Sequence, residues 1–195
     1  MQGSRRDPLD LRRPGRVYSA VAIAILVADQ VAKYFARVNL VEGVTIPLVP
    51  HVLNLTYVHN MGAAFGLFPG RQPVFIATSC FVLFAVAAYW RRAKPREWPV
   101  VVALGMVTAG ALGNLIDRAL SGPVTDFLQF AFLPEFPVFN IADMGIVCGV
   151  GVLALWILFA IEPEQEAGSA DADASGVEAA PATDSTEDAE RDANS

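Results

Sequence analysis

Asp29 and Lys33 stand four residues apart inside an apolar run, so on a helix they share one face. Ionisable groups at membrane depth cost about 2.5–3.5 kcal/mol each on insertion scales. A structural ion pair explains these two better than a direct catalytic role. A second polar group is Asn60-Met61-Gly62-Ala63-Ala64-Phe65-Gly66, where an amide able to donate and accept sits among small residues. That composition also suits a tight turn. A third is Gly110-Ala111-Leu112-Gly113-Asn114-Leu115-Ile116-Asp117-Arg118. Gly110, Asn114 and Asp117/Arg118 recur at helical spacing and should line one face, with Arg118 the only base near that end. The fourth is Asp126 with Asn140 and Asp143, the last in a first helical turn where an anion is favoured. Taken singly, each group has an ordinary explanation as a cap, a turn or a local ion pair.

Elimination narrows the chemistry. His51 and His59 lack the HExxH spacing of a zinc peptidase. Of two lysines, Lys94 falls on the opposite side, so a serine–lysine dyad would have to use Lys33. Ser79 and Ser121 have no nucleophile motif around them, and no glycine-rich phosphate loop follows a strand. Paired carboxylates remain. Two that share a site hold one proton between them. The ionised member can then take a proton from water while the protonated one polarises a carbonyl, with no metal and no cofactor.

The elements that must hold these groups are apolar and long. Hydrophobic residues make up 54% of the chain, too many for a small soluble domain. They form four blocks, at about 17–36, 73–90, 98–117 and 142–161. Each block is long enough to cross a hydrocarbon core of ~30 Å as a helix. The expected fold is an all-α membrane bundle of four transmembrane helices, with a small extracytoplasmic β-element and a short interfacial segment. Arg5, Arg6, Arg12, Arg13 and Arg16 precede the first span, and Arg91, Arg92, Lys94 and Arg96 follow the second. Both clusters should be cytoplasmic, as should both termini. The loops 37–72 and 119–140 then face outward. In the first, Leu53, Leu55 and Tyr57 alternate with Asn54 and Thr56, a half-buried strand after a turn bracketed by Pro47 and Pro50. In the second, the aromatic stretch Phe127 to Phe139 suits a short interfacial helix or strand. On this topology all but the deep Asp29 and Lys33 come to one depth near the outer face.

The net charge of −6 conceals two parts. Residues 162–195 hold eleven acids and one base, and should form a disordered acidic cytoplasmic tail. Residues 1–16 are a basic cytoplasmic lead, and 17–161 the four-span domain. Cys80 and Cys148 lie inside spans and are expected to serve as small packing residues. The first span lacks a cleavage site and should be retained. No internal repeat is visible, which disfavours an inverted-repeat transporter.

Several ordered motifs over residues 17–161 carry a resemblance: Asp29-Gln30 with Lys33, Asn60 to Phe65, Gly110 to Arg118, Val124-Thr125-Asp126-Phe127, and Phe139 to Asp143. With them the chain resembles the lipoprotein signal peptidase (signal peptidase II) family. The resemblance implies an aspartic endopeptidase of the bacterial cell membrane. Such an enzyme removes signal peptides from diacylglyceryl-modified prolipoproteins, cutting before the lipid-bearing cysteine. It implies a catalytic pair at Asp126 and Asp143, and substrate-contacting residues at Asn60, Asn114, Arg118 and Asn140. Asp29, Lys33, Gly110 and Asp117 are expected to support them. A monomer among membrane lipids is expected, with no nucleic-acid partner. Thr125 departs from the family's frequent valine, Ala109 from a common glycine, and Met144 from a small polar residue. Two rival readings are a proton-coupled transporter relaying through Asp29, Asp117 and Asp143, which predicts ionisable groups spread across the membrane, and a non-catalytic scaffold.

Overall fold

Each of the four apolar blocks becomes one helix. The computed structural model of the chain describes residues 14–62 and 72–160. The first four arginines of the basic lead, Ala63 to Gly66 of the second motif, and the acidic tail lie outside the described residues. Helix α1 spans Pro14–Asn39, α2 Gln72–Ala93, α3 Trp98–Leu120 and α4 Ile141–Ala160. Each is long and apolar enough to cross a membrane. All described elements fall within residues 1–159 as one unit, apart from the last residue of α4.

Helix α3 is central: 67% of its most apolar stretch is buried, against 22%, 11% and 17% in α1, α2 and α4. The other three turn apolar side chains outward, among them Ile23, Val27, Phe81, Phe84, Val147, Leu158 and Phe159. A soluble protein rarely exposes so much apolar surface, whereas lipid solvates it. The chain is a multi-pass membrane protein. Cys80 and Cys148 are free thiols on exposed positions of α2 and α4, not the internal packing residues expected of them.

With no hydrophobic drive between helices in lipid, close packing must hold the bundle. Small residues permit it. A β-carbon on Gly149 would lie 2.8 Å from the Ala103 carbonyl oxygen and 2.8 Å from Val107. One on Gly110 would collide with the Ala142 carbonyl and Ile146. These contacts lock α4 onto α3. Midway along α3, Tyr18 Oη and Thr108 Oγ1 share a hydrogen bond of 2.9 Å, and Tyr18 packs on Trp90.

Both expected loop elements join a single sheet. Strands β1 (Thr45–Val49), β2 (Leu53–Asn60) and β3 (Val124–Phe130) pair antiparallel in the order β1-β2-β3. The half-buried strand is β2. Pro47 lies inside β1 instead of bracketing a turn, which an edge strand permits because one of its sides needs no donor. The turn is Pro50 to Val52, with His51 at a positive φ of 64°. The second loop supplies a strand: β3 pairs with β2 across a register shift between Leu55 and Val58. Phe139 then bridges to Leu128. The rings of Phe132, Phe136 and Phe139 pack around Phe130 and close this loop.

Gly149→Val should lower the unfolding temperature in detergent, since overfilling such a contact costs about 1–3 kcal/mol. Gly151→Ala is the control, because nothing lies within 4 Å of its added carbon. Equal temperatures for the two variants would refute the α3–α4 lock.

Candidate functional site

The site is built outward from Lys33, whose side chain has 0% exposure. A buried ammonium must satisfy its three donors. Lys33 Nζ lies 2.9 Å from Asp29 Oδ2, 3.0 Å from Asp117 Oδ2 and 3.1 Å from Asn114 Oδ1. Asp29 and Asp117 are as deeply buried as the lysine. Arg37, one turn further along α1, donates through Nη2 to Asp117 Oδ1 at 2.8 Å. The cluster thus alternates carboxylate and cation. Asp29 also accepts the backbone N–H of Ala142 at 2.9 Å, a carboxylate placed at the start of α4 where the helix dipole favours it. Gln30 donates to Asp29 and to the Gly113 carbonyl. Gly113 allows this approach, since a β-carbon there would lie 2.6 Å from Asp29 Oδ2.

Asn114 carries the network from this cluster to the next. While its Oδ1 accepts Lys33, its Nδ2 donates to Asp143 Oδ1 at 2.7 Å. Asp143 closes the first turn of α4 with Asn140 as a reciprocal cap: Asp143 N–H donates to Asn140 Oδ1 at 2.9 Å, and Asn140 N–H to Asp143 Oδ2 at 3.2 Å. The side chain of Asn140 also donates to Asn114 Oδ1 at 3.2 Å and to Asp126 Oδ1 at 2.6 Å. Asn60, at the end of β2, donates to the other oxygen of Asp126 at 2.8 Å. The two aspartates, one on β3 and one on α4, are therefore held by a chain of three asparagines. Among the described residues no buried side-chain nitrogen or oxygen lacks a partner.

Strand alternation aims Asp126. Val124, Asp126, Leu128 and Phe130 line a cleft of about 740 Å³ that Asn60, Asn114, Arg118 and Asp143 share. The remaining wall is apolar: Val49, Val52 and Leu53 from the sheet, Phe136 to Phe139, and Met144, Val147 and Cys148 from α4. Arg118 lies 5.2 Å from the centre of the Phe75 ring and donates to the Asn114 carbonyl at 3.5 Å. Gln72 donates to the Arg118 carbonyl at 2.6 Å, tying the start of α2 to the end of α3. Burial first, then the charge of Asp143, pushes the Asp126 carboxyl up to about 7, against the partial relief of its two amide donors.

The expected site residues come together, with three changes. Gly110 and Asn114 face α4, and Arg118 the cleft they lead to, while Asp117 turns with Gly113 toward α1; the single face divides. Lys33 is no deep outlier, since it touches Asn114 directly. Arg118 is not the only base at this end, because Lys33 and Arg37 reach it from α1. The expected first span ends at 36 and leaves Arg37 out, although Asp29, Lys33 and Arg37 keep a four-residue step. Thr125, a departure from the family's frequent valine, accepts Arg37 Nε through its hydroxyl at 2.8 Å. The transporter expectation of scattered ionisable groups is not met: Asp29, Lys33, Asp117 and Asp143 form one connected network.

Comparison with known proteins agrees with this architecture. A family model described as signal peptidase (SPase) II matches residues 21–159. The chain is 42% identical over 138 residues to a lipoprotein signal peptidase of Brevibacillus brevis, covering 71% of this chain and 92% of that one. It is 40% identical over 151 residues to the one of Hydrogenovibrio crunogenus, covering 75% and 87%. A bacterial membrane enzyme structure solved in meso at 2.3 Å superposes with a TM-score of 0.73 at 32% identity, covering 77% of this chain and 93% of its own.

Lys33→Met leaves two buried carboxylates without their shared cation, and breaking such a pair costs about 3–5 kcal/mol. The expected result is a large drop in unfolding temperature in detergent, with helix content still formed at low temperature. An unchanged temperature would show that the cluster does not hold the bundle.

Proposed function

We propose that this chain, which belongs to the signal peptidase II family, is an aspartic endopeptidase whose catalytic pair is Asp126 and Asp143. As a member of that family it is a peptidase that removes signal peptides from prolipoproteins. The cut falls before the diacylglyceryl-modified cysteine. Both termini are cytoplasmic and the cleft opens near the extracytoplasmic face, with the substrate's lipid left in the bilayer against the apolar wall. The enzyme works as a monomer. The observation that carries this reading is the pair of carboxylates lining one apolar cleft and held through shared asparagines.

The chemistry follows from one shared proton. Near neutral pH Asp126 holds it, since its carboxyl is pushed up to about 7, and Asp143 is the ionised partner. The pair titrates as a unit. Asp143 takes a proton from water as the oxygen attacks the scissile carbonyl carbon, and Asp126 gives its proton to the carbonyl oxygen. In the tetrahedral intermediate the new proton on Asp143 passes to the leaving nitrogen. The carbon–nitrogen bond breaks, and a hydroxyl proton returns to Asp126. Asn60, Asn114 and Asn140 already donate to the carboxylates, so their first task is to aim the acids. Among the described residues Arg118 is the cation that lines the cleft, and it holds substrate carbonyls. Asp29, Lys33, Gly110 and Asp117 support this arrangement through α1 and α4 and do not touch the reacting bond.

Asp126→Asn and Asp143→Asn should each lower cleavage of a lipidated prolipoprotein by about 10³-fold or more while the protein still inserts. Full activity in Asp143→Asn would sink the scheme. The reaction needs Asp126 protonated, so kcat should decline as pH rises through about 7. It should also fall at low pH, once the partner carboxylate takes up a second proton. A rate that keeps rising well above neutral pH would contradict the assignment of the proton.

A further inference from the structure

We propose, building on the aspartate-pair reading above, that Arg37 is a positioning residue: its guanidinium fixes Thr125 on the far face of β3 and so aims Asp126 into the cleft. Successive side chains of a strand point to opposite faces. Asp126 lines the cleft with Val124, Leu128 and Phe130, so Thr125 faces the bundle instead. There it is 1% exposed and held twice. Its hydroxyl accepts Arg37 Nε at 2.8 Å, and its backbone N–H donates to Asp117 Oδ2 at 3.1 Å. Arg37 Nη2 reaches the other oxygen of Asp117 at 2.8 Å, which closes the ring of three residues. Two donors on one rigid plane, each with its own acceptor, set an angle as well as a distance. A lysine offers a single charged point and could not hold both partners in one orientation.

The restraint acts where β3 most needs one. The strand meets β2 across the register shift between Leu55 and Val58, beside the pair Val58–Asp126. A shift of one residue would send Asp126 to the wrong face. Pinning the backbone and side chain of Thr125 blocks that slip immediately before the acid.

Arg37 also balances charge. Asp29 and Asp117 share Lys33, so without Arg37 this cluster carries one uncompensated negative charge close to β3. Among the described residues, the charged and titratable groups around the strand are Asp29, Lys33 and Arg37 from α1, Asp117 and Arg118 from α3, Asp143 from α4, and Tyr57 and His59 of β2, with Glu42 as the partner of His59. Loss of Arg37 adds net negative charge to this set. The proton on Asp126 is then held more tightly, and the basic limb of the pH profile moves upward. Two contributions of one side chain, orientation and charge, can thus be separated.

The test is steady-state cleavage of a lipidated prolipoprotein by the purified full-length protein, with kcat, KM and the basic limb measured for each variant. Arg37→Met is expected to lower kcat about tenfold, with KM within about twofold, and to move the limb upward. Arg37→Lys restores the limb but not kcat. Thr125→Val removes the hydroxyl alone, lowering kcat without moving the limb. The double variant Arg37→Met with Thr125→Val is expected to be no slower than Arg37→Met. Wild-type kcat and limb in Arg37→Met would overturn the proposal, as would losses that multiply in the double variant. If Arg37→Met does not fold, Arg37→Lys and Thr125→Val decide the matter, and wild-type kcat in both is the overturning result. Failure of the aspartate pair itself reads differently, as cleavage retained by Asp126→Asn.

Discussion

Lys33 places an ammonium where no water reaches it, and the elements around the site are arranged to meet its demands. Its three acceptors come from Asp29 on its own helix and from Asn114 and Asp117 on α3. In low dielectric an unpaired charge is far more costly than a paired one. The lysine therefore sets the rotation and depth of α1 against α3. Asp29, drawn in by the same ammonium, receives the first turn of α4. One buried cation thus brings three helices to a common register at one end of the bundle. Glycines at 110, 113 and 149 make the approach close enough for those bonds to form.

From that cluster the order spreads in two directions. Asn114 conducts it to Asp143 and Asn140, and Asp117 to Arg37, Thr125 and hence β3. The two aspartates lie at the far ends of these branches and meet again through the side chain of Asn140. A network with every member satisfied holds its groups in one arrangement. The acids themselves face an apolar cleft, and burial, then the charge of Asp143, pushes the Asp126 carboxyl up to about 7. Rigidity behind the carboxylates and low polarity before them come from opposite faces of the same strand.

The sheet shows how much of this a linear reading could contain. The alternation Leu53, Leu55, Tyr57 was legible as a strand, since period-two patterning survives without knowledge of partners. The proline in β1 is a turn signal in the bare sequence, because only pairing reveals that its strand is an edge. The second loop was legible as aromatic and structured, but not as the third strand. Its partner lies 77 residues earlier, Leu53 against Phe130, and the order is set by a contact that no local pattern encodes. The role of Arg37 is illegible in the sequence for a related reason. It sits just past an apolar block, where a basic residue ordinarily marks the end of a span, and its partners are on α3 and β3.

By itself the sequence determined four apolar spans and, through ordered motifs, the family, and it narrowed the candidate chemistry to paired carboxylates. These depend on local composition and spacing, which the chain carries in any conformation. Only the tertiary structure decided which face each acid takes. It turned Asp117 toward α1 as a buried counter-ion, and brought Asp126 and Asp143 to one cleft from a strand and a helix seventeen residues apart. It made Lys33 the hub and joined Thr125 to Arg37. Such assignments depend on distances between elements, and the balance of burial, charge and hydrogen bonding that sets them exists only once the chain has folded.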